Sequence, residues 1–384
     1  MDAFFLPMNY TFQTEVDQVR NHCGYFTLED WCLISAKGKE TFSFLQSQTT
    51  NDVLQMQIGQ GQNSAVTDRQ ARLIANFSIH RMGEDEALIL VETSLKDILL
   101  NHLESYHFRE EVEFTVLNCR LLALQGPKSS LILEKIFENQ NLPDKPNDTT
   151  QLTLGKHPIN LIIKSLTGEE GQILCFPNEL EDELTQLILK SDSPPIKVNE
   201  VAREVLRIEA GIPIYDTDMD KKNILPETGL EHTSVSYNKG CYIGQEVIAR
   251  IKTYGAPNFA LMGLTVEGVL TPPYNGTLKL GDKKIGTIKS AVRSVTLDKV
   301  ITLAYLHKEH RSPDIEMEVT IDGKPFKVKT CLLPFYQAQT RKDHSNKILH
   351  QALQLYKEQD DLNQPIALLR ESIELDPKNA DAYE

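Results

Sequence analysis

The feature that most constrains the fold is a change of texture near residue 259. Up to that point strand-like and helix-like stretches alternate. From about 259 to 335 short Val, Ile, Leu and Thr runs are separated by turn pairs such as Gly281-Asp282 and Asp322-Gly323. Such spacing predicts a small antiparallel barrel or sandwich. In the earlier part, residues 31–34, 71–79, 87–91, 119–124, 159–163 and 172–176 read as strands. Residues 41–54, 95–103, 128–138 and 179–190 read as helices, with Phe42, Leu45 and Thr49 on one face of the first, and 139–150 as a polar loop. No long uninterrupted βαβ series occurs, so the expectation is α+β rather than a doubly wound sheet. The tail changes again: residues 347–384 have few β-branched residues and read as helix, break at Asp360-Asp361, and helix. Tyr356, Leu369 and Pro377 stand where a tetratricopeptide unit would have them, although Leu353 and Pro365 depart from it. One such unit cannot bury its own apolar face, so it should pack on the body, a second copy or a protein partner. The final Ala380-Asp381-Ala382-Tyr383-Glu384 reads as a second repeat cut short. The expected division is 1–255, 256–338 and 345–384.

Composition narrows the function classes. With 384 residues, 40% of them apolar, two or three cored domains are expected. A net charge of −14 argues against direct nucleic-acid binding and against an anionic membrane as main partner. Met1-Asp2-Ala3-Phe4-Phe5-Leu6 lacks a basic n-region, and no apolar run is long enough to span a bilayer. Cysteines 23, 32, 119, 175, 241 and 331 are scattered without CxxC spacing, which fits a reduced, cytoplasmic protein.

One segment has the make-up of a reactive site: Lys239-Gly240-Cys241-Tyr242-Ile243-Gly244-Gln245-Glu246-Val247-Ile248-Ala249-Arg250. Gly240 and Gly244 permit a sharp turn that presents Cys241. Residues 245–250 then have helical character, with Glu246 and Arg250 spaced to pair along one face. A thiol just before a helix N-terminus, with Lys239 beside it, has two sources of thiolate stabilisation. Nucleophilic attack, redox chemistry and soft-metal ligation all need that thiolate. A cysteine in a glycine-rich turn is also, quite ordinarily, a small packed residue.

Together with Leu206-Arg207-Ile208-Glu209-Ala210-Gly211-Ile212-Pro213, Leu225-Pro226-Glu227 and residues 44–53, this segment resembles the YgfZ family, a branch of the glycine-cleavage T-protein superfamily. The resemblance covers roughly residues 25–260. It implies α+β lobes around a folate-sized hole, a C-terminal antiparallel β-barrel and, in this chain, a short helical tail. It implies tetrahydrofolate or a derivative as cofactor, and a role in assembling or repairing iron–sulfur enzymes, including those that thiolate tRNA. Iron–sulfur clients or assembly proteins would be the partners. Cys241 would carry the function with Lys239, supported by Gly240, Tyr242, Gly244, Gln245, Glu246 and Arg250. No metal ligand is implied, save that Cys241 is open to such a role.

The same resemblance implies Trp31, Arg203, Asn76, Glu209 and Glu227 as folate-site residues. Trp31 matches a segment that supplies an aromatic; a lone Trp is otherwise a core residue. Arg203 replaces a second aromatic and suits ring stacking or a carboxylate tail, or is plain helix-surface charge. The aminomethyltransferases keep an Asp where this chain has Ala75-Asn76, and a pterin-binding Glu where it reads Gln172-Ile173-Leu174. An amide cannot take a proton or hold negative charge, so aminomethyl transfer loses its electrostatic device. Glu169 and Glu170 read as solvated turn carboxylates. Three functions follow: an iron–sulfur accessory protein, a folate-dependent one-carbon transferase or demethylase, and a client-docking protein using its tail.

Overall fold

The computed structural model describes residues 11–268, 276–321, 323–338, 341–358 and 363–376. Two sheets form the body. A five-stranded antiparallel sheet runs Gly61–Thr67, Leu73–Arg81, Glu86–Glu92, Trp31–Lys37, Glu113–Val116. A six-stranded sheet runs Ile196–Lys197, Gly24–Thr27, Arg120–Gln125, Gly171–Phe176, His157–Ile163, Thr149–Leu154, with only the first pair parallel. The apolar run 87–91 shows why the two sheets cohere. Ala87, Ile89 and Val91 point into one core with Leu45, Leu73 and Leu99, while Leu88 and Leu90 point into another with Phe26, Ile173 and Leu206. A strand covered on both faces reads as a continuous apolar run rather than an alternating one.

The helix expected over 41–54 stops at Gln48 and resumes as a short 3-10 turn, Val53–Gln55. Thr49 and Thr50 are the reason. Thr50 donates its N–H to the Ala65 carbonyl at 2.9 Å and its hydroxyl to the Ser234 carbonyl at 2.5 Å. Hydroxyl side chains that bond backbone offer the chain an alternative to helix. The expected polar loop 139–150 gives up its end to the strand Thr149–Leu154.

Six antiparallel strands close the barrel in the order Phe259–Val266, Lys299–His307, Lys283–Ser294, Thr277–Leu280, Glu316–Ile321, Lys324–Cys331. Ile208 of the helix Glu200–Glu209 packs with Leu261, Ile301, Leu303 and Tyr305 of the barrel. Buried polar ties reinforce that seam. Arg207 Nη1 donates to Asp218 at 2.6 Å, and Ser290 donates to the same carboxylate at 2.5 Å. Arg20, under the ring of Tyr336 at 3.5 Å, donates to Glu169 at 2.7 Å and to Glu209. Glu209 also accepts from Ser294 and Thr296 of the barrel.

The tail forms two helices, Arg341–Glu358 and Asn363–Leu375. They are bound by reciprocal Ser345–Ser372 hydrogen bonds and tied to the body by Lys128 Nζ donating to Glu371 at 2.6 Å. Leu353, Tyr356 and Ile366 stay exposed. Asp360-Asp361, Pro377 and 380–384 lie outside the described residues. Among the described residues no helix is long and apolar enough to cross a membrane.

Candidate functional site

A cavity of about 780 Å³ opens between the two sheets and the helix Glu200–Glu209. It brings together three of the expected residues: Trp31, Asn76 and Arg203. Sheet register explains two of them. Trp31 is paired with Glu92. The Ser78–Leu90 pairing, extended two residues, sets Asn76 across from Glu92 on the other side. Residues opposite one another project from the same face, so Trp31, Glu92 and Asn76 form a cross-strand row on the cavity wall. Among the described residues the buried Asn76 Oδ1 has no hydrogen-bond partner, a state that usually costs about 1–3 kcal/mol unless something fills it.

Arg203 enters from the helix, its guanidinium 4.4 Å from the centroid of Phe26 and 3.7 Å from the Asp30 carboxylate. It is thus already stacked and partly charge-matched.

Glu92 was not legible from the sequence as a site residue. It closes the strand Glu86–Glu92 and stands just before the helix Thr93–Ser105, without a side-chain capping bond to it. Burial pushes its carboxyl up to about 7, against a backbone hydrogen bond from Tyr215 that pulls the other way. Lys164 was missed too. It follows the strand His157–Ile163, its Nζ donates to Asn63 Oδ1 at 3.1 Å, and burial lowers it to about 8. In both cases the signal available was a charge at the end of an apolar run, which is common at ordinary strand ends.

The Cys241 segment behaves differently from expectation. The Lys239 ammonium is taken up by another segment. The residue is 7% exposed, and its ammonium donates to the carbonyls of Gln46, Thr49 and Asn51 at 2.6, 2.5 and 2.9 Å. Burial lowers it to about 8. It is therefore a clamp on the 46–51 turn, because three orphan carbonyls need a multi-donor partner. Gly244 is the turn residue that matters: its φ is +86°, and a Cβ there would lie 2.5 Å from Thr67 Oγ1 and 2.6 Å from the Asp68 carbonyl. Among the described residues a Cβ at Gly240 would meet nothing within 4 Å. Tyr242 is buried in the five-stranded sheet's core, and Gln245 opens the helix Gln245–Tyr254. Glu246 and Arg250 are both exposed, and among the described residues they form no ion pair. Cys241 is exposed and does not line the cavity. Among the described residues no cluster of His, Cys, Asp or Glu is arranged to hold a metal ion.

Three further expectations are corrected. Glu209 is fully buried and engaged by Arg20, Ser294 and Thr296, so it ties body to barrel and does not reach the cavity. Glu227 folds back on its own turn, accepting from the Ile224 N–H and the Asn223 side chain, both at 3.4 Å. Glu169 is no solvated turn carboxylate: it is 2% exposed, paired with Arg20, and raised to about 7 by burial. Ile173 lies wholly inside the core between the sheets.

Two sheets enclosing a cavity, with a six-stranded barrel attached, define the T-protein type of α+β architecture. Residues 2–239 match the GCVT N-terminal domain, and residues 260–337 match the glycine cleavage T-protein C-terminal barrel domain. The chain belongs to the glycine-cleavage T-protein family. It is 26% identical over 345 residues to an aminomethyltransferase of Bacillus cytotoxicus, covering 86% of this chain and 92% of that one. A Bacillus mycoides aminomethyltransferase is 26% identical over 347 residues, with the same coverages. The crystal structure of the glycine cleavage system aminomethyltransferase T from Bartonella henselae superposes with a TM-score of 0.78 at 21% identity, covering 86% of this chain and 90% of that one.

Proposed function

We propose that the cavity binds a tetrahydrofolate, and that the chain serves as a folate-binding accessory protein for iron–sulfur enzymes, the tRNA-thiolating ones among them, with Cys241 as its outward-facing functional group. The single observation that carries the folate assignment is the row Trp31–Glu92–Asn76 facing a cavity large enough for such a ligand. Trp31 offers a stacking surface. Asn76 Oδ1 offers an unfilled acceptor, and Glu92 a second acceptor when ionised, to the N–H groups of a pterin edge. Ligand sites of this kind are mostly apolar with a few convergent polar groups.

Accessory work is favoured over aminomethyl transfer by what the cavity wall lacks. Asn76 cannot hold a proton or a charge, and Ile173 is buried in the core between the sheets, so it presents no carboxylate to the cavity. Cys241 stands outside the cavity, where a partner protein can reach it. Trp31 is the only tryptophan, so its fluorescence reports on this cavity alone. Titration with tetrahydrofolate should quench it saturably, and an Asn76→Leu variant should bind more weakly. Absence of any fluorescence change, with calorimetry equally silent, removes the folate assignment. For the accessory role, cells carrying Cys241→Ala in place of the wild-type chain should lose activity of their radical thiolating enzymes. Full activity there rejects it.

A second reading has its own observation. Glu92 lies opposite Asn76 with its carboxyl near neutrality, so it is a candidate proton-transfer group for a one-carbon transferase or demethylase, at the position next to the missing Asp. Turnover of an aminomethyl donor with tetrahydrofolate that disappears in Glu92→Gln would establish it. No turnover by pure wild-type protein would dismiss it.

A further inference from the structure

The distribution of charge around the cavity is uneven. At the Trp31 end, acid and base are interleaved: Asp30, Glu92 and Glu204 face Arg203 and Arg207, and Arg207 is bonded to Glu204 and Asp218. At the other end Lys164 stands apart. Among the described residues its Nζ has one hydrogen-bond partner, the neutral Asn63 amide oxygen at 3.1 Å, and no carboxylate pairs with it. The titratable neighbour is His80, which burial holds neutral and which bonds the Asn147 carbonyl and Ser78 Oγ, both at 2.9 Å. Lys164 is half-buried, and an ammonium partly withdrawn from water without an anion carries a desolvation cost that proteins normally offset by pairing the charge. Here the protein supplies a neutral amide, and Lys164 lines the cavity.

From this we infer that Lys164 is the seat of an anionic group, a carboxylate, on the ligand of this cavity, and that Arg203 is not. Arg203 is already stacked on Phe26 and close to Asp30. The placement also orients the ligand. Asn63 is paired with Ser78, two residues along the strand from Asn76, which is a step of about 7 Å. A ring held at the Trp31–Glu92–Asn76 row therefore carries its acidic tail toward Asn63 and Lys164. The inference rests on the folate reading for the identity of the ring, and on Lys164 alone for the anion. The lowered basicity of the amine fits the same picture, since an arriving carboxylate restores the charged form.

The test uses the full chain and three probes. Tetrahydrofolate has ring and tail, 6-methyltetrahydropterin has the ring without a carboxylate, and p-aminobenzoylglutamate has the tail without the pterin. Lys164→Met should weaken tetrahydrofolate and p-aminobenzoylglutamate about ten- to hundredfold, the usual worth of a charge-assisted hydrogen bond, while 6-methyltetrahydropterin changes by less than about twofold. Lys164→Arg, which keeps the charge, should recover most of the lost affinity, and matching thermal midpoints exclude a folding defect as the cause. Equal loss for all three probes, or no loss for either tail-bearing one, overturns the seat. So does a wild-type protein that takes neither tail-bearing probe. If the wild type binds p-aminobenzoylglutamate in a Lys164-dependent way but not tetrahydrofolate, the anion seat stands and the folate reading falls.

Discussion

Replacing Glu92 by Gln isolates the electrostatic character of the cavity wall. The carboxyl moves from an ordinary 4.5 to about 7 on folding, chiefly through burial. Because the folded value is raised, the group favours the folded state while both forms are protonated, below about pH 4.5. That contribution is lost as pH rises through about 7, since the folded protein must then hold a buried charge. A shift of this size corresponds to about 3 kcal/mol at 1.36 kcal/mol per unit, and access of water to the cavity lowers the working figure to about 2 kcal/mol. Gln keeps the shape and cannot ionise. Urea unfolding of both proteins at pH 5 and pH 8.5, without ligand, should show the stability of Glu92→Gln relative to wild type improving by about 1.5 kcal/mol at the higher pH, the rest having been lost below pH 5. Glu169 is raised as well, but it is present in both proteins and cancels in the difference. A variant-to-wild-type difference that is the same at both pH values refutes the reasoning, because it would mean that the carboxyl ionises on the cavity wall at no cost.

Arg20→Met leaves Glu169 and Glu209 buried without their cation and should destabilise the fold by about 3–5 kcal/mol, measured by urea unfolding at neutral pH. Gly244→Ala places a methyl within 2.6 Å of the Asp68 carbonyl at a φ of +86°, and a loss of roughly 2 kcal/mol or more in thermal or chemical unfolding is expected. Gly240→Ala, with open space around it, should change the same measurement by less than about 0.5 kcal/mol. Cys241→Ala lies outside the cavity and should leave tetrahydrofolate affinity within about twofold in the Trp31 titration.

The sequence by itself determined the kinds of element and their order. Mixed strands and helices, then short β runs, then a helical pair are all present at nearly the expected places, because apolar periodicity and turn residues are local properties of the chain. It also marked Trp31, Asn76 and Arg203, which the cavity does gather. Tertiary structure decided the rest. Whether Glu209, Glu227 or Glu92 faces a ligand depends on what meets each carboxylate: Arg20 from the first helix, the chain's own Ile224 turn, or, for Glu92, the Tyr215 backbone beside an open cavity. Lys239 and Lys164 are likewise both lysines next to apolar residues in sequence. One closes a turn by bonding three carbonyls far along the chain, and the other is left with a single amide in a cavity. Long-range pairing of this kind leaves no periodic trace, since burial and partners are set by how the sheets pack rather than by neighbours along the chain. The segment around Cys241 shows both sides. Its glycine at 244 follows from the backbone turn that the local sequence specifies, whereas the distance of the thiol from the cavity was fixed only when the two sheets came together.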